Sequence, residues 1–119
     1  MAGKAFFLQR LNDHVQYLKK INATLEGKSD FQGTAHTDCK LGQWIYGEGA
    51  DEVASLSDPK AQETFDALKE PHEKFHDISK DALAKKIAGD EEGARRAETD
   101  MHVLSTNIYN KLLDLDGMS

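Results

Sequence analysis

Five histidines and one cysteine carry the chemistry open to this chain: His14, His36, His72, His76, His102 and Cys39. His72 and His76 stand four apart in Pro71-His72-Glu73-Lys74-Phe75-His76. On a helix that spacing stacks two imidazoles on one face, about 6 Å apart along the axis, where they can chelate one metal ion. His14 falls inside an apolar stripe, which carries its imidazole towards the protein interior, where an uncompensated polar group is costly. Cys39 follows Asp38, a candidate N-cap that places the thiol in the first turn of a helix. Unpaired N–H groups and the helix dipole favour the thiolate there, and a thiolate is what zinc binds. Three neutral imidazoles and one thiolate match a tetrahedral zinc site. On the residues alone a plainer role stays open for each: Cys39 as a small buried hydrophobe, His14 as a satisfied core histidine. His36 precedes the predicted helix and His102 lies off the stripe of the last one, so both read as surface histidines.

The elements that must position these side chains are helical. Apolar residues recur at steps of three and four, and no segment alternates as a strand would. Phe7, Leu11, His14, Leu18, Ile21 and Leu25 form one stripe on a helix from about residue 4 to 26, ended by Gly27. A polar loop leads to a short helix starting near Asp38, then a glycine-punctuated turn at 46–49 and one or two further turns over 50–56. Asp58 as N-cap and Pro59 at the first helical position open a long segment marked by Phe65, Leu68, His72, Phe75, Ala82 and Ile87 and closed by Gly89. Asp90 caps a last helix with the stripe Ala97, Met101, Leu104, Ile108, Leu112 and Leu115. Pro71 interrupts the hydrogen bonding of the long segment, which either bends or restarts just before His72. The expected fold is all-α, an antiparallel four-helix bundle with a short extra helix carrying the cysteine, in one domain spanning residues 1–119.

Composition narrows the function. The chain has 119 residues, 21 acidic against 15 basic, for a formal charge of −6. An acidic chain without a basic cluster argues against nucleic acid, whose phosphates must be neutralised. A mean hydropathy of −0.64 and the lack of a long apolar run argue against a membrane-embedded protein. The first eight residues are too weakly apolar for a secretory signal, so a cytoplasmic location is expected. A single cysteine leaves no internal disulfide to form.

The most specific feature is Cys39-Lys40-Leu41-Gly42-Gln43-Trp44-Ile45-Tyr46-Gly47, with His14 before it and His72 to His76 after it. This resembles the chemoreceptor zinc-binding domain, whose pattern is a histidine on the first helix, then CxLGxWxY and a small residue, then HxxFH. Every element is present in order. The resemblance implies a helical-bundle zinc sensor, not an enzyme, with ligands His14, Cys39, His72 and His76, assembled as a homodimer. It further implies bacterial signalling of the chemotaxis or cyclic-di-GMP type, answering to zinc itself or to oxidation of the zinc-bound thiolate, as by hypochlorous acid. Relatives fuse the domain to an output partner. The 119 residues are used up by the bundle, so the signal is expected to pass to a protein in trans, or the chain to be an excised sensor. Leu41, Trp44 and Ile45 are assigned to packing, with a partner subunit as a second possibility for Trp44, and Gly42 to close backbone approach. A different class, a small helical-bundle metalloprotein with a catalytic or oxygen-binding centre, would want an open coordination position or bridging carboxylates from helix-borne Glu-x-x-His pairs.

Overall fold

A computed structural model describes residues 2–118, with side chains from 7 to 118. The chain forms α1 (Ala2–Leu25), α2 (Lys40–Ile45), α3 (Gly49–Ala54), α4 (Pro59–Ile87) and α5 (Glu91–Gly117). Among the described residues there is no strand, and no helix is long and apolar enough to cross a membrane. The all-α bundle expected from the periodicity is present, and it is elongated, 49 × 20 × 19 Å.

Local chemistry sets the boundaries. Asp58 accepts from the Lys60 N–H at 2.9 Å and Pro59 fills the first helical position. Asp90 accepts from the Gly93 N–H at 2.9 Å. These bonds satisfy amides that a helix start leaves without partners. Gly27 and Gly89 end their helices at φ 79° and 81°, a backbone region that a side chain disfavours. Pro71 lies buried inside α4, and the helix runs through it without restarting.

α4 and α5 pack along their length, joined by the tight turn at Gly89, and α1 lies against both. Phe7 near the start of α1 meets Trp44, which in turn meets Phe65 near the start of α4, so α1 and α4 run in the same direction. Residues 26–58 bring the chain back between them. Phe31 lies against Tyr17, Thr34 bonds the same tyrosine, and Trp44 reaches Phe7. This returning limb is irregular over 28–38 and only then turns into α2 and α3. The up-and-down order is therefore kept, with an extended stretch as much of its second limb.

Most stripe residues are buried, with Phe65, Leu68, Phe75, Met101 and Ile108 fully enclosed. Ile87, expected on the α4 stripe, is instead 76 % exposed. At 100° per residue it lies roughly 90° around from the centre of the Phe65–Ala82 stripe, on the last turn of its helix. Trp44 is 4 % exposed, wedged edge-on against Phe7 and Phe65 with its indole N–H donating to Glu52 at 3.0 Å, so the ring serves this chain's own core.

Candidate metal centre

Cys39 sits where the extended limb becomes α2. Asp38 does not cap that helix: Cys39 itself is the N-cap, its sulfur accepting the Gly42 N–H at 3.2 Å. The Asp38 carbonyl is held from outside by the Gln43 amide at 2.8 Å. Capping by sulfur points Sγ inward, 3.3 Å from His72 Nε2. The absence of a Cβ at Gly42 makes this possible, because one built there would clash with the His36 carbonyl oxygen and lie 2.9 Å from its carbon.

His72 and His76 occupy successive turns of α4 with ring centroids 4.8 Å apart. One donor atom each from Cys39, His72 and His76 falls within 4.8 Å of the others. Bonds of about 2.3 Å to sulfur and 2.05 Å to nitrogen at a tetrahedral angle hold the two donors about 3.5 Å apart. The Cys39–His72 separation is already close to that. His76 Nδ1 lies 3.0 Å from the Thr34 carbonyl oxygen and 3.2 Å from the Tyr17 hydroxyl.

His14 is not among the three. It is 2 % exposed, its Nε2 2.8 Å from the Ser105 hydroxyl and its ring edge-on to Phe75 and Tyr109. It does line, with Cys39, His76 and Tyr17, a cavity of about 310 Å³ between α1 and the returning limb. The structure thus joins three of the four expected ligands and places the fourth on the wall of the cavity beside them. His36 lies in its loop but is only half exposed, its ring 6.3 Å from that of His72. His102 is exposed.

The electrostatics suit a cation. Burial, then the nearness of His76, lowers the His14 pKa to about 3. Burial, then the charges of His76, His14 and His36, lowers that of His72 to about 3. Burial lowers His76 to about 4, against a partial upward pull from the Thr34 carbonyl. All three rings are neutral near pH 7, as ligands must be. Burial pushes the Cys39 thiol up, opposed by the Gly42 N–H and reinforced by the Asp13 carboxylate, so its thiolate needs a positive partner. His72 Nδ1, the ring nitrogen other than the one facing Cys39, is buried with no hydrogen-bond partner among the described residues. The nitrogen and sulfur donors of the site are those zinc prefers.

Four contributors escaped the apolar pattern. Tyr17, Thr34 and Ser105 bond the histidines, and Asp13 lies with a side chain only 6 % exposed, paired with Arg10 at 3.1 Å. Ser105 carries the one visible signal, a hydroxyl four residues from Met101 on the buried stripe. Glu73 stands three residues before His76, one Glu-x-x-His spacing, but its side chain is exposed whereas His72 and His76 are buried, and it is not among the clustered donors. A carboxylate-bridged centre finds no support there.

The family model described as the chemoreceptor zinc-binding domain matches residues 14–83, a span holding all four expected ligands. No curated protein and no solved structure matches the chain.

Proposed function

The chain belongs to the chemoreceptor zinc-binding domain family, and on that premise we propose that it is a cytoplasmic sensor domain of bacterial signalling that binds zinc through His14, Cys39, His72 and His76 and works as a homodimer. The observation that carries this reading is the convergence of Cys39, His72 and His76, whose donor atoms lie within 4.8 Å of one another, with Cys39 Sγ 3.3 Å from His72 Nε2. A zinc ion there would supply a redox-inert positive link among the donors. Cys39 opens α2, His72 and His76 belong to α4 and His14 to α1, so the donor set ties three separate elements together. Loss of Cys39 or His14 from the set frees α2 or α1 and changes the packing of the bundle, and that change is the signal.

Two inputs fit this arrangement. One is the free zinc concentration. The other is oxidation of Cys39: hypochlorous acid converts the thiolate to a sulfenic acid, sulfur gaining the oxygen while chlorine leaves as chloride. The cavity lined by Cys39 and His76 offers a small oxidant a route to the sulfur. The output, of the chemotaxis or cyclic-di-GMP type, passes to a signalling protein in trans or to a fused partner, and no catalytic step is assigned to these residues. The test is metal analysis, with native mass spectrometry, of protein purified without a chelating column. One zinc per chain supports the proposal; two irons per chain, or no metal after zinc loading, overturns it.

A further inference from the structure

We propose that the Thr34 carbonyl, seated by the Tyr17 hydroxyl, is a positioning group for His76: it holds the ring proton on Nδ1 and so presents Nε2 as the ligating nitrogen. The functional meaning of this rests on the metal centre proposed above, whereas the tautomer is a property of the metal-free chain.

The argument is one of donors and acceptors. His76 Nδ1 lies 3.0 Å from the Thr34 carbonyl oxygen. A carbonyl oxygen only accepts, so this contact is a hydrogen bond only if Nδ1 carries the proton. The Tyr17 hydroxyl, 3.2 Å from Nδ1, could have supplied a proton instead. Its own commitments favour the other arrangement. It accepts from the Thr34 N–H at 2.8 Å and its proton turns to the Thr34 carbonyl at 3.5 Å. In the opposite tautomer an unprotonated Nδ1 would face the carbonyl lone pairs at hydrogen-bond distance, in a buried site where that repulsion is poorly screened. Second partners of this kind set which nitrogen of a histidine a metal can reach.

The clamp is built from distant parts of the chain. Gly33, at φ 84°, turns the extended limb so that Thr34 presents both its N–H and its carbonyl to the same tyrosine. A Cβ at Gly33 would lie 3.2 Å from the Tyr17 hydroxyl, so the turn fits closely over it. The Tyr17 ring is held edge-on by Phe31 and Phe75, at centroid distances of 5.4 and 5.9 Å. Through these contacts α1 and the returning limb both bear on a ring carried by α4.

The test uses the full chain with ¹⁵N-labelled histidine at pH 7.5. Long-range ¹H–¹⁵N NMR on the metal-free protein reads the His76 tautomer, and competition with a chromophoric chelator reads zinc affinity. Wild type is expected to show Nδ1–H. Tyr17→Phe keeps the ring contacts and leaves the Thr34 carbonyl as acceptor, so Nδ1–H is expected to persist, but it removes the hydroxyl that holds the Thr34 N–H and is expected to weaken zinc binding by about 10- to 100-fold. Thr34→Ala keeps the backbone groups and is expected to match wild type in both readouts. An Nε2–H tautomer in the wild type, or wild-type zinc affinity in Tyr17→Phe, overturns the proposal. A wild-type protein that binds no zinc overturns the metal centre instead, and the tautomer then decides the positioning claim alone.

Discussion

Replacing Gly42 with alanine puts the geometry of the thiol to a direct test. The added Cβ would clash with the His36 carbonyl oxygen and lie 2.9 Å from the carbonyl carbon and 3.2 Å from Thr37 Cα. Carbon atoms in contact prefer about 3.5 to 4.0 Å, so the 36–37 backbone must withdraw by roughly 1 Å or α2 must shift. Neither neighbour is the free end of a flexible side chain. Overpacking of this kind costs about 1–3 kcal/mol, and the clash with main chain places it near the upper end. The better helix propensity of alanine returns about 1 kcal/mol. The net loss is about 2 kcal/mol, a fall in Tm of about 8 °C for a chain of this size. The same displacement carries Cys39 Sγ, bonded to the Gly42 N–H, away from its 3.3 Å approach to His72 Nε2. A separation lengthened by about 1 Å exceeds what one tetrahedral ion bridges, so zinc affinity should fall by at least about 100-fold. Calorimetric melting of the metal-free proteins and chelator competition measure the two effects, with Gly117→Ala as control, since nothing lies within 4 Å of a Cβ there. A Gly42→Ala protein with wild-type Tm and wild-type zinc affinity would refute the reasoning.

Three further outcomes follow from the same site. Cys39→Ser should weaken zinc binding by about 100-fold or more and abolish any oxidant-triggered release of metal, as followed with a fluorescent zinc indicator after hypochlorous acid; retained affinity would remove Cys39 from the donor set. The metal-free protein should lose stability on acidification. His14, His72 and His76 titrate near 3, 3 and 4 when folded against about 6.5 unfolded, so below pH 6.5 the unfolded chain binds more protons. The stability present above pH 6.5 is lost as pH falls towards 4, by about 5 kcal/mol for the three together between pH 6.5 and 5. Urea unfolding across that range checks it, and a flat profile would contradict the burial of the rings. Ser105→Ala leaves His14 Nε2 buried without its 2.8 Å partner and should cost about 1–3 kcal/mol in the metal-free protein, read by the same unfolding curves.

Helix content, the glycine stops after α1 and α4, the caps at Asp58 and Asp90, and the candidacy of the histidines and the cysteine were all legible in the linear chain, because each depends on neighbours within about one turn of helix. The same holds for the packing roles of Leu41, Trp44 and Ile45, three and four apart on one short helix. Ile87 shows the limit of periodicity at a helix end, where angular drift moves a residue off the buried face. Asp38 shows another limit, since a cap can be shifted by one residue when a thiol finds a better acceptor geometry.

Local pattern therefore determined which residues had the chemistry to meet, and tertiary structure decided which of them do. Cys39, His72 and His76 come together because the limb over 28–38 turns back along α1 and seats the cysteine against α4. His14 turns its Nε2 to a serine 91 residues away. Tyr17 and Thr34 matter only through contacts across 17 to 59 residues of chain. Hydrogen bonds of that range depend on how helices are placed and rotated about one another, which the spacing of apolar residues along one helix does not specify.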